Sequence, residues 1–154
     1  MVEYGTEFFN PRSAKLINMI EKPQRFYTRI ALRRCGLRYE AYENRLQRFN
    51  LEPLDIRRKK LELITLFKII HSCYDIDVQV LPAMRERPSR NHRQRLEQLR
   101  FADWNPLSNW FINRIIPVWN KLPKQLDEVA TVAQFRNFVN KLPGSFLRSR
   151  FEDC

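Results

Sequence analysis

The segment Leu54 to Tyr74, LDIRRKKLELITLFKIIHSCY, constrains the fold more than any other stretch. Leu61, Leu63, Ile64, Leu66, Phe67, Ile69 and Ile70 are too many for one helical stripe. A helix apolar on nearly every side belongs in the middle of a fold. The run is too short for a bilayer, which needs ~20 apolar residues, and Lys60, Glu62 and Lys68 interrupt it. Its first half is basic: Arg57, Arg58, Lys59 and Lys60 stand in the opening turns. Cations there oppose the helix macrodipole by roughly 0.3–1 kcal/mol each. Two readings stand. Either positive charge is held there for a polyanion, or this is a solvated end whose basic side chains pair with acids elsewhere.

Helical spacing recurs on both sides of this segment. From Arg12 to Arg34, apolar residues step by three and four, with Pro23 predicting a kink or break. Phe26 and Ile30 are expected to face the core. Tyr39, Tyr42, Leu46 and Phe49 form the apolar face of a shorter helix over Tyr39 to Phe49. From Asn105 to Leu122 there are two seams: Leu107, Phe111, Ile115, Val118 and Leu122, then Ile112, Ile116 and Trp119. Pro117 predicts a kink or a new start there. Thr131 and Gln134 have capping-box spacing, and Val132, Phe135, Phe138, Val139 and Leu142 follow on one face. Pro143-Gly144 should end that helix, leaving a frayed tail.

The fold class expected is all-α, a bundle-like unit of five or six helices. Only three glycines in 154 residues leave little material for a turn-rich β architecture. Tyr4 to Asn10 suits a short strand or an extended lead-in, and residues 78–81 suit a short strand. The expected organisation is a helical region over 1–81, a basic flexible linker over 82–104, a C-terminal helical pair over 105–143 and a tail over 144–154.

Charge bears on function. Lys and Arg number 28 against 17 Asp and Glu, a net charge of +11. Such an excess favours a polyanion, nucleic acid before an anionic membrane surface. Arginine outnumbers lysine, and its planar fork suits phosphates. Lys22, Arg25, Arg29 and Arg33 step by three and four along one helical edge. A basic edge beside a buried seam suits a phosphate backbone, although an ordinary solvated helix face has the same pattern. Arg85, Arg87, Arg90, Arg93, Arg95 and Arg100 crowd a segment whose acids are Glu86 and Glu97. Trp104 follows that run outside any periodic seam and is the tryptophan placed to stack a base. The candidate nucleic-acid contacts are therefore Lys22, Arg25, Arg29, Arg33, Arg57, Arg58, Lys59, Arg90, Arg93, Arg95 and Trp104.

Val2–Gly5 (VEYG), Phe8–Pro11 (FFNP) and Ile20–Ile30 (IEKPQRFYTRI) together resemble the segment after the polymerase core in reverse transcriptases of non-LTR retrotransposons, the jockey-like long interspersed elements. Leu37–Leu46 and Leu51–Ile70 look like the family's following helices, with its Arg pair at Arg57 and Arg58. Phe111–Pro123, FINRIIPVWNKLP, is the most specific match, and a helix with an inward Phe, here Phe135, comes next. The likeness runs over residues 3–142. It implies the thumb and post-thumb region, which holds the RNA template and the RNA/DNA duplex beside the palm but does not carry the chemistry. Pro23 and Arg38 depart from the family's pattern. Phe101-Ala102-Asp103-Trp104 has Trp104 where the palm motif has its second Asp, and it lies far downstream; it is read as coincidence.

No catalytic motif stands in for the missing palm. Two-metal phosphoryl transfer needs paired carboxylates, and the acids here are scattered. There is no P-loop, GxSxG or HExxH. Cys35, Cys73 and Cys154 form no CxxC pair and read as reduced thiols. No catalytic residue, metal ligand, cofactor or small-molecule ligand is expected, and polymerase activity of this chain alone is not expected. The N-terminus lacks a secretory pattern, so an intracellular site, nucleus or cytoplasm, is expected, without a membrane partner. The expected function is nucleic-acid binding by a C-terminal fragment of an RNA-directed DNA polymerase, its partners being nucleic acid and the rest of the polymerase if encoded upstream. The alternative is a helical protein-interaction module or a non-functional remnant of a mobile element, which the Met start within the pattern and Pro23 support.

Overall fold

The computed structural model describes residues 5–7, 10–11, 13–71, 73, 93–97 and 110–148. These residues are mostly helical, with six α-helices and no sheet among them. The helices are α1 (Ala14–Arg34), α2 (Tyr42–Arg48), α3 (Leu54–Ile70), α4 (Phe111–Trp119), α5 (Val132–Lys141) and α6 (Gly144–Arg148); a 3-10 turn, Lys124–Glu128, joins α4 to α5. No helix among the described residues is long and apolar enough to cross a membrane. Residues 5–7 form a turn, and the strand expected over 78–81 lies outside the described residues.

The central segment behaves as its composition demands. Helix α3 packs against α1, α4, α5 and α6, and Leu63, Leu66 and Phe67 are fully enclosed. Phe67 stacks on Phe135 of α5, with ring centroids 4.3 Å apart. Trp119 of α4 closes the group at 5.7 Å from Phe135. Both seams of α4 are buried over their described length, because α4 is covered nearly all round. The capping box forms: Thr131 Oγ1 accepts from the Gln134 amide while the Gln134 side chain accepts from the Thr131 amide. The pair satisfies amides at the start of α5 that lack intrahelical acceptors.

The parts of the expected division are joined among the described residues. The helical groups on either side of the basic segment share one core, running from Ile56 to Leu147. Within the expected linker, residues 93–97 are fastened. Asn120 bonds Leu96 reciprocally, accepting from its amide and donating to its carbonyl, both at 2.9 Å. Trp119 Nε1 donates to the Gln94 carbonyl at 2.7 Å, and Leu96 is buried. The chain also continues past Pro143 into α6 instead of fraying at that point. Leu147 enters the core. Gly144 sits so close to α3 that an added Cβ would lie 2.8 Å from Ile56 Cδ1.

Helix α1 is attached differently. It runs without a break through Pro23, which lies on the exposed side with Met19, where water can take the bond that the proline cannot donate. Its inward residues are Glu21, Thr28 and Leu32, not Phe26, which is 50% exposed. The Glu21 carboxylate accepts the Leu54 amide at 3.0 Å and the Tyr42 hydroxyl. It caps α3 from another helix, placing negative charge at the positive end of the macrodipole. Both α1 and α2 end in Schellman motifs. Leu37 N donates to Leu32 O around Gly36 (φ +67°), and Leu51 N donates to Leu46 O around Asn50 (φ +50°). The first of these ends lets the chain extend over residues 37–41. Helix α2 therefore starts at Tyr42, and Tyr39, expected on its inner face, stands outside it at 81% exposure.

Candidate nucleic-acid interface

The cations of α3 are held internally. Arg58 and Lys59 are buried, at 4% and 6% exposure. Lys59 Nζ donates to the Leu147 carbonyl at 2.7 Å, giving the C-terminal turn of α6 a cation. Arg58 Nε donates to Asn10 Oδ1 at 3.3 Å. Lys60 Nζ lies 2.6 Å from Glu52 Oε1. Arg57 is half-buried and has an interaction of its own. In this fold Arg58 and Lys59 do not present their charge to a polyanion, so both leave the candidate site. The solvated-end reading does not describe these two either, since both are buried and Asn10 and the Leu147 carbonyl are neutral acceptors; Lys60 pairs with an acid, Glu52.

A second buried charge locks α3 to α4. Arg114 forms an ion pair with Glu62, both almost wholly enclosed, and its Nη2 donates to the carbonyls of Thr6 and Glu7. Thr65 Oγ1 donates to Glu7 Oε1 at 2.9 Å. The turn at residues 5–7 is thereby tied to the core. Burial raises the pKa of Glu62, with Arg114 pulling the other way.

The outer edge of α1 differs. Lys22, Arg25, Arg29 and Arg33 are all exposed. None of the four is bonded to a carboxylate among the described residues. Arg25 Nη2 donates to Asn18 Oδ1 at 3.3 Å, and its guanidinium lies 4.9 Å from the Tyr42 ring centre. Arg29 lies over Phe26 at 5.8 Å. Two nearby acids are engaged elsewhere, while Glu43 and Asp55 line a second pocket beside Arg25 without bonding to it. Glu40 pairs with Arg48, whose hydrogen bond holds the Glu40 carboxyl below its usual pKa. Glu21 serves Leu54 and Tyr42. Burial and the Glu21 carboxylate in turn raise the Tyr42 hydroxyl pKa, so Tyr42 acts as a neutral donor.

Between α1 and the approach to α2 lies a cleft of about 350 Å³, lined by Lys22, Arg25, Phe26, Arg29, Tyr39 and Arg45. Arg45 is buried and fixed. It donates to Thr28 Oγ1 at 3.2 Å and to the Glu40 carbonyl at 2.6 Å. These acceptors are neutral, so the guanidinium leaves positive charge at the cleft wall. It lies 6.0 Å from the Tyr39 ring centre and 5.5 Å from that of Tyr42. Three of the expected contacts, Lys22, Arg25 and Arg29, thus come together in the cleft, and Arg33 continues their edge.

Other expected contacts fall apart from it. Arg93 is exposed, its amide bonded to Asp127 Oδ1, and Arg95 is half-buried with an enclosed Nε. Arg90 and Trp104 lie outside the described residues. Sequence reasoning missed Phe26, Tyr39 and Arg45 as cleft residues. For Phe26 a signal existed, since it stands four residues after Lys22 and three before Arg29, spacings that share a helix face. No group of three or more His, Cys, Asp or Glu residues among the described residues is placed to hold a metal ion.

A relative from Caenorhabditis elegans, described as an uncharacterized protein, is 33% identical over 82 residues, 53% of this chain and 41% of the relative. The chain therefore covers less than half of that relative's length. No family model matches the chain, and no solved structure matches it.

Proposed function

We propose that this chain binds nucleic acid along the exposed edge of α1, as part of the thumb and post-thumb region of a non-LTR retrotransposon reverse transcriptase. The observation that carries the reading is the row Lys22, Arg25, Arg29 and Arg33, exposed and without a carboxylate partner among the described residues. Local stability is served poorly by four adjacent like charges, whereas a phosphate backbone neutralises them together. The order and spacing of the sequence motifs support the polymerase origin. Chemistry would remain with a palm supplied elsewhere, and the chain needs no cofactor for binding. Such a partner implies a location inside the cell, in the nucleus or cytoplasm.

The test is fluorescence anisotropy of a labelled RNA oligonucleotide at rising salt. Four neutralised phosphates give a log–log slope of about −3, so affinity should fall about 50- to 150-fold between about 50 and 200 mM salt. Absence of binding, or binding indifferent to salt, overturns the reading.

A different observation favours a second reading. Leu16 and Met19 are about half exposed on α1, a surface suited to packing against protein, such as the rest of a polymerase. A folded monomer without nucleic-acid affinity would select that reading. Aggregation and rapid proteolysis of the free chain would select a non-functional remnant.

A further inference from the structure

We propose that the cleft between α1 and the approach to α2 takes an unpaired base of a single strand, stacked on Tyr39 and Phe26, with its flanking phosphates on Lys22, Arg25 and Arg29. The inference rests on the nucleic-acid reading above and narrows its partner to single-stranded rather than duplex nucleic acid. The cations alone do not separate the two, since any phosphate backbone satisfies them. The aromatic rings do.

Tyr39 is 81% exposed and Phe26 50% exposed, and both line the same cleft as the cations. Tyr27, also exposed, meets Phe26 edge to face at 5.9 Å. Rings left in water gain from a partner that offers a flat π face. A duplex keeps its base faces stacked inside and presents phosphates and groove edges; an unpaired strand offers the faces themselves.

The cleft is arranged for such a face. Arg45 is held by Thr28 and the Glu40 carbonyl, lies over the Tyr39 ring, and cannot swing away without breaking those bonds. Arg29 lies over Phe26 in the same manner. Each ring is thus placed beside a guanidinium, which also attracts the phosphate of whatever stacks there. The volume, about 350 Å³, is at the small end of the range for ligand pockets, room for a base and not for a second helix.

The experiment compares the full chain with the double variant Tyr39→Leu/Phe26→Leu, and with Tyr39→Phe, against a single-stranded RNA and a duplex RNA at several salt concentrations. Both residues are exposed, so the variants should fold, and circular dichroism checks this. The double variant should lose at least about 5-fold affinity for the single strand, since one stacked base accounts for about 5- to 150-fold. Its salt slope and its duplex affinity should stay unchanged, and Tyr39→Phe should bind as the parent does. Single-strand affinity unchanged in the double variant, or lowered equally for both RNAs, overturns the stacking inference while a retained salt slope leaves the general reading intact. No binding of either RNA by the parent overturns both.

Discussion

Arg57 to Lys60 on α3 and Lys22 to Arg33 on α1 are similar runs of positive charge in opposite surroundings. Helix α3 is packed by four other helices, and its cations find partners within the fold: Lys59 at the Leu147 carbonyl, Arg58 at Asn10, and Lys60 at the half-exposed Glu52. Helix α1 is covered along one side only. Its inner residues, Glu21 and Thr28, make the polar bonds that fasten it, and its outer cations face water. A basic run therefore gains meaning from what covers it. On a central helix it is consumed by the fold; on a peripheral helix it stays available to a partner.

The comparison breaks most visibly if the apolar side fails. Phe67→Ala or Phe135→Ala removes a fully buried ring from the stack at the centre of the core and should cost about 3–5 kcal/mol, read from urea unfolding. Glu62→Gln strands Arg114 in the interior and should cost a similar ~3–5 kcal/mol. It also carries a pH signature. The raised folded-state pKa of Glu62 means that its favourable contribution is present below the unfolded value and is lost as pH rises through the folded value. The parent's unfolding midpoint should therefore decline in that window above about 4.5, with a smaller decline in Glu62→Gln.

Smaller effects sharpen the contrast between the two cation runs. Lys59→Met leaves the Leu147 carbonyl without its buried donor and should cost about 1–3 kcal/mol. Thr131→Ala removes half the capping box, worth about 1 kcal/mol in the same urea titration. Arg29→Gln, on the open edge of α1, should move stability by no more than about 0.5 kcal/mol while weakening RNA binding. A stability loss at Arg29 matching that at Lys59 would erase the distinction.

Much of the core could be read from the chain. Seven apolar residues in ten leave α3 no place but the middle, the seams of α4 follow from spacing, and Thr131 with Gln134 marks the start of α5. The face of α1 could not be read in the same way. Counting apolar residues turns Phe26 inward, whereas the fold buries Glu21 and Thr28, whose bonds to Leu54, Tyr42 and Arg45 exist only after three helices meet. The same limit hid the cleft, because Tyr39 is exposed only once α1 ends at its Gly36 turn and α2 starts three residues later than its apolar spacing predicts. Helix α6 was missed because Pro143-Gly144 looks like a stop, yet here the pair lets the chain approach Ile56 closely.

The claim that the open edge of α1 carries the polyanion is tested most directly by the salt dependence of RNA affinity in the variant Lys22→Gln/Arg25→Gln/Arg29→Gln/Arg33→Gln. The predicted result is a log–log slope shallower than the parent's by about 3, at an unfolding midpoint close to the parent's. A slope equal to the parent's, with the fold intact, would contradict it.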